Sequence, residues 1–189
     1  NVAEPDLRFG QVRIRIKAAG INFPDILTVE GTYQHKPPLP FIVGFEIAGE
    51  VIEVAKDVSG FEIGDRVMAG IRPGGFAEQA VVDAAAIQHT PNQFDDITAA
   101  AFQVTYSTAY HCLLQRGRLQ RGEWVLINGA TGGVGLAAVE IAKLQGAKII
   151  GLRSAVANQA LTVHEQSEHY SPSSLANRPI AVQFHAGSH

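Results

Sequence analysis

The sequence predicts an all-β domain followed by an α/β unit of the doubly wound kind. Three observations predict it. About the first 90 residues read as short strands parted by glycine turns, with no helix of length, which is the pattern of a β-barrel or sandwich. An apolar run of strand length, 124–127, leads straight into Gly129-Ala130-Thr131-Gly132-Gly133-Val134-Gly135. Behind those glycines come apolar residues at helical spacing (Val134, Ala138, Ile141, Ala142), then Gly146 where a helix C-terminal glycine belongs, then a second buried strand over 148–152.

Taken in order, Val12, Ile14, Ile16 and Ala18 alternate with Arg13, Arg15 and Lys17, so 12–18 is a strand with one buried and one solvated face. A loop with a short helix-capable piece follows, holding Gly20-Ile21-Asn22-Phe23-Pro24-Asp25, Gly31-Thr32-Tyr33 and the proline-rich Pro37-Pro38-Leu39-Pro40. A second strand is predicted over 46–55 and contains Gly49; Gly64-Asp65 turns the chain into a third, 66–69. After Gly74-Gly75 a fourth runs over 76–82. Asp95 and Asp96 put acids at a helix start, and 97–114 reads as that helix. Gly122 turns the chain into the strand before the glycines.

Composition excludes several classes of function. A formal net charge of −3 with no run of Lys or Arg gives no reason to expect nucleic acid or an anionic membrane as partner. Cys112 is the only cysteine, so no disulfide can form within the chain and a reducing cytoplasm is expected. No apolar stretch reaches membrane-spanning length, and no signal peptide is expected. The chain starts with Asn1 close before its first strand and so looks cut at its start.

Ala130-x-Gly132-x-x-Gly135 occupies the positions of the dinucleotide fingerprint, with alanine at the first glycine site. Gly132 would let the backbone come close to a pyrophosphate, and Gly135 would let the helix pack tightly on its strand. The helix N-terminus adds free N–H groups and the positive end of its dipole. The preceding strand and following helix supply the context that the motif requires.

Asn22-Phe23-Pro24-Asp25, Gly31-Thr32-Tyr33, Pro38-Leu39-Pro40, Gly44-Phe45-Glu46-Ile47-Ala48-Gly49, Gly64-Asp65-Arg66-Val67, Gly74-Gly75-Phe76-Ala77-Glu78, Thr108-Ala109-Tyr110 and the 129–135 glycines stand in the order of the medium-chain dehydrogenase/reductases. The chain most resembles their zinc-free NADPH:quinone oxidoreductase branch, over nearly all of 1–152. The resemblance implies a GroES-like β-barrel lacking its first strand (1–96), an incomplete Rossmann domain that binds NADP (97–152), and a homodimer. It also implies that Asn22 and Thr108 are polar contacts around the nicotinamide and that Tyr33 lies at the substrate mouth. The cofactor contacts it implies are Asn22, Thr108, Ala130, Thr131, Gly132, Gly133, Val134 and Gly135. Asn22 also reads as a plain turn residue, Tyr33 as an ordinary loop aromatic, and Thr108 as a helix hydroxyl bonded to its own backbone. Asp25 and Glu46 could carry protons, but structural hydrogen bonding is the favoured reading of both.

A catalytic zinc needs three ligands of Cys, His, Asp or Glu type. The zinc alcohol dehydrogenases of the family carry a cysteine in the loop here written 22–25 and a histidine where this chain has Phe45. Cys112 follows on a predicted helix as a small core residue. No metal is therefore expected. Without a Lewis acid, hydride must pass directly to an electron-poor carbon, such as that of a quinone or an α,β-unsaturated carbonyl, whose oxygen spreads the resulting charge. Enoyl-thioester reduction and zinc-free alcohol dehydrogenation are rivals. The end of the second strand offers Arg153, which suits a 2′-phosphate, and no acid until Glu165; NADPH is the expected cofactor.

From Arg153 onward the pattern changes. Residues 154–189 hold four of the seven histidines and one of the nineteen glycines, with no helix followed by an apolar strand. His164 and His169 lie five apart, about 140° from each other on a helix, which argues against a metal pair. The expectation is a poorly ordered tail of no recognised family, such as a shifted frame or aberrant splicing produces. Two strands of a parallel sheet would then stand alone, and the chain as written would be a poor enzyme or a non-catalytic product.

Overall fold

The structure is a computed structural model that describes residues 5–71, 73–152 and 180–183. It divides into two compact units, Asn1–Val104 and Thr105–His189.

The first unit is built on β1 (Gln11–Gly20), β2 (Glu46–Val54), β3 (Arg66–Gly70), β4 (Gln79–Asp83) and β5 (Ile87–His89). All pairings are antiparallel and the order is β4-β1-β2-β3-β5. The sheet is open: among the described residues β4 and β5 are its two edges and do not pair. The barrel expected from the sequence is thus a GroES-like domain around an unclosed sheet. Its core is Val12 and Ile14 from β1, Ile47 and Val51 from β2, and Val67 from β3, all fully buried. This is the alternation that the sequence shows, one face in and one out. Gly49 permits the close pairing of β1 and β2, since a Cβ there would lie 2.1 Å from the Arg15 carbonyl oxygen. The fourth strand starts at Gln79 instead of residue 76, because the Phe76 N–H donates to the Val43 oxygen (2.8 Å) and so lies outside the ladder. β5, which follows a 3₁₀ turn at Ala84–Ala86, is too short to leave a period in the sequence.

A short helix, α1 (Phe23–Val29), fills the loop after β1. The single helix expected over 97–114 is broken into α2 (Asp96–Ala100), α3 (Gln103–Tyr110) and a π-helical turn, His111–Arg116. Asp95 caps α2, accepting the Thr98 N–H at 2.7 Å. Ala99 and Ala100 seat α2 against Ala48 and Met68 of the sheet, and at the break Phe102 packs its ring on Phe94, centroids 5.4 Å apart.

In the second unit β6 (Trp124–Asn128) lies between β7 (Lys148–Leu152) and β8 (Ile180–Gln183), parallel to both. The helix α4 (Gly133–Leu144) buries Ala138, Ile141 and Ala142 with Val125, Ile127 and Ile149. The two-stranded sheet expected from the sequence is corrected here. β8 pairs along the other edge of β6, Val125 opposite Ile180 through Asn128 opposite Gln183, so that edge is covered. The sequence hides β8 because its apolar run is only Ile180-Ala181-Val182, behind a proline and with no recognisable helix before it. The rest of the tail expected to be poorly ordered lies outside the described residues.

Candidate functional site

The glycine turn joins β6 to α4. Gly129 has φ +77°, so the tight turn falls one residue before the alanine that stands at the fingerprint's first glycine position. The N–H groups of Gly129 and Ala130 both donate to the Leu152 oxygen, at 2.9 and 3.0 Å, and tie the turn to the end of β7. The Gly132 N–H closes it on the Gly129 oxygen at 3.0 Å. Gly132 is then the N-cap of α4, with extended backbone, and Gly133, Val134 and Gly135 form the first turn.

The two motif glycines meet different demands. A Cβ on Gly135 would stand 2.0 Å from the Gly129 oxygen, so the fold itself needs glycine there. A Cβ on Gly132 would meet only that same oxygen, at an ordinary 3.5 Å. Packing within the chain does not require glycine at position 132, and its bare backbone leaves open a cradle that a side chain would fill. Thr131, Gly132 and Gly133 are exposed beside it. The first turn of α4 carries no acidic residue, so its positive end is not neutralised from within. Such a turn fits a pyrophosphate.

In the first unit Asn22 is the N-cap of α1 and sits between two buried carboxylates. Its backbone N–H donates to Asp25 Oδ2 at 2.7 Å, and its side-chain Nδ2 donates to Glu46 Oε1 at 2.7 Å. Asp25 Oδ1 accepts the Gly44 N–H at 3.1 Å, and Glu46 Oε2 accepts the Val104 N–H at 2.8 Å. Asp25 and Glu46 therefore have the structural hydrogen-bonding role read for them from the sequence. Glu46 is 1% exposed, and burial pushes its carboxyl above the usual carboxylate range; the bonds from Val104 and Asn22 oppose that shift, while the charge of Asp25 adds to it. Gly20 makes the space: a Cβ there would lie 2.3 Å from Glu46 Oε1 and 2.6 Å from the Ala100 oxygen.

Tyr33 is half-buried, with its ring edge-on to Phe45 at 5.7 Å between centroids. Phe45 directly precedes Glu46, so Asn22, Tyr33, Phe45 and Glu46 belong to one part of the first unit. Thr108 is exposed on α3, in the second unit, which also holds Ala130, Thr131, Gly132, Gly133, Val134 and Gly135 of the turn. Arg153 lies outside the described residues. Sequence reasoning missed the grip of Glu46 on Asn22. The local half does leave a signal, because Asn22-x-x-Asp25 has the spacing of a helix capping box. The other half spans 24 residues and leaves no local signal.

Among the described residues no three His, Cys, Asp or Glu side chains gather as a metal site, and no helix is long and apolar enough to cross a membrane.

An open GroES-like sheet domain followed in the chain by a parallel βαβ unit with a glycine turn is the element order of the medium-chain dehydrogenase/reductases, and the comparisons agree. Residues 8–92 match the alcohol dehydrogenase GroES-like domain. The chain is 43% identical over 148 residues to the quinone oxidoreductase-like protein 2 homolog of Nematostella vectensis, a match that covers 77% of this chain and 40% of that protein. The quinone oxidoreductase of Thermus thermophilus, solved also in complex with NADPH, superposes with a TM-score of 0.73 at 32% identity over 96% of this chain and 54% of that one. The CurK enoyl reductase does so with 0.74 at 30% identity, over 82% and 49%. The chain belongs to the medium-chain dehydrogenase/reductase superfamily and is quinone oxidoreductase-like. It spans about half the length of these relatives.

Proposed function

We propose that the protein is a zinc-independent oxidoreductase that uses NADPH to reduce a quinone or an activated alkene. The observation that carries this reading is the contrast within the glycine turn, where Gly135 is demanded by packing and Gly132 is left bare at the start of α4. Ala130, Thr131, Gly132, Gly133, Val134 and Gly135 would hold the pyrophosphate through backbone N–H groups. Arg153 would pair with the 2′-phosphate and so favour NADPH over NADH. A bound nicotinamide would supply the two-electron reductant.

The chain's own residues would then orient and exclude. Asn22, fixed by Glu46 and Asp25, would offer the polar contact to the nicotinamide that the resemblance implies, as it implies one for Thr108. Tyr33, braced on Phe45, would narrow the substrate mouth and keep water from the reacting carbon. Phe45 and the cysteine-free 22–25 loop at the family's zinc-ligand positions support a metal-independent reaction. Likeness to the quinone oxidoreductases favours a quinone acceptor, and likeness to CurK favours an enoyl thioester as the second reading. The resemblance also suggests a homodimer, and the single cysteine suits a reducing cytoplasm.

NADPH oxidation measured against quinone, enone and enoyl-thioester acceptors, before and after chelation, tests the reading. Turnover with quinone or enone that survives chelation supports it. Preference for the enoyl thioester selects the second reading, and failure to bind NADPH leaves the non-catalytic product.

A further inference from the structure

A carboxylate can only accept hydrogen bonds, whereas an amide has one accepting and one donating end. Glu46 spends both oxygens on donors, one on the Val104 N–H at 2.8 Å and the other on Asn22 Nδ2 at 2.7 Å. It is 1% exposed, so water does not compete for it, and Gly20 gives it the space that a Cβ, 2.3 Å from Oε1, would take. Asp25 fixes the backbone of Asn22 from the other side, at 2.7 Å. The side-chain amide is thereby oriented, with its nitrogen held inward on Glu46 and its oxygen on the opposite edge.

We propose that Glu46 is a positioning residue that sets the polarity of Asn22, so that Asn22 presents its amide oxygen to a hydrogen-bond donor on the nicotinamide riboside, either the carboxamide N–H or a ribose hydroxyl. The inference rests on the nicotinamide-binding reading above. It also separates two tasks. Asn22 holds the cofactor, and stabilising the acceptor's developing oxyanion falls to other donors.

Exchanging donor and acceptor across the pair tests it. In Glu46→Gln, a group facing both the Val104 N–H and Asn22 Nδ2 can accept from only one of them. In Asn22→Asp, a carboxylate faces a carboxylate. In the double variant the introduced glutamine accepts from Val104 through its oxygen and donates through its nitrogen to the introduced aspartate, which still shows an acceptor outward. The 189-residue chain and the three variants are compared by thermal melting and by NADPH titration.

Both single variants should melt lower and bind NADPH at least tenfold more weakly, and the double variant should recover both properties. Recovery of melting without recovery of NADPH binding would overturn the proposal, because it would mean that Asn22 serves the ligand as a donor. Melting of the double variant no higher than that of the singles would overturn the pairing itself. If the wild-type chain binds no NADPH, the nicotinamide reading fails and this assignment of a ligand with it, while the melting series still judges the Asn22–Glu46 pair. Titration with the 3-acetylpyridine analogue of NADPH, which lacks the carboxamide N–H, separates the two donors. A tenfold loss assigns the carboxamide, and unchanged affinity assigns a ribose hydroxyl.

Discussion

The Gly129 carbonyl oxygen lies 2.0 Å from the place where a side chain on Gly135 would begin. The oxygen belongs to the turn and the glycine to the first turn of α4, so this one approach fixes how the helix leaves β6. Valine at position 135 would have to push backbone, since the next atom in its way is the Ala130 Cα at 2.8 Å. Gly135→Val is expected to cost about 3 kcal/mol, the upper part of the range for overpacking. Circular dichroism melts should show a midpoint about 10 °C lower.

Gly132 should behave in the opposite way. Asparagine is a good N-cap residue, and the chain has space for it at this position. Gly132→Asn should melt within about 2 °C of wild type. Its side chain would occupy the cradle, and NADPH affinity should fall by at least about tenfold, a loss of about 1.4 kcal/mol. Isothermal titration read beside the melt checks it; unchanged affinity would remove the turn from the binding site.

Glu46 gives stability a pH dependence whose sign follows from its burial. Its carboxyl titrates above its ordinary 4.5 in the folded chain, so the folded state holds the proton more firmly than the unfolded state does. Its contribution is fully present below the ordinary value and is lost as pH rises through the folded one. Glu46→Gln does not titrate. The melting temperature of wild type relative to this variant should therefore fall as the pH is raised above 4.5. Asp95 is shifted down by the Thr98 N–H that it caps, so it acts in the opposite sense: its contribution is present above its ordinary value and is lost as pH falls. Comparing wild type with Glu46→Gln leaves that effect common to both.

What the sequence made legible follows the range of the forces involved. The alternation of β1 and the strand, glycines and helix over 124–144 are local patterns, and each folds where it was expected. The helix over 97–114 failed because its apolar residues serve two purposes. Ala99 and Ala100 pack on the sheet of the first unit, while Ala109 and Leu113 pack in the core of the second, and one straight helix does not describe both. β8 was invisible because a three-residue apolar run becomes a strand only when an unpaired edge of β6 receives it. Asn22 was legible as a turn residue and a candidate contact, but its place as a cap and its orientation were not, since the orientation is imposed by a carboxylate 24 residues away.

Zinc chemistry needs three ligands with the fourth position open to substrate. At the family's ligand positions this chain has Phe45 and the 22–25 loop, and the carboxylates nearest to them, Asp25 and Glu46, accept from Gly44, Asn22 and Val104. A cation could take Glu46 only by breaking bonds of 2.7 and 2.8 Å at a side chain buried from solvent. Prolonged dialysis against EDTA should therefore leave the melting temperature and any NADPH-dependent turnover unchanged. Added zinc should restore nothing, because nothing has been lost. Elemental analysis before and after dialysis completes the test. Stoichiometric zinc that leaves together with activity would show that this chain recruits ligands from residues other than those at the family's positions.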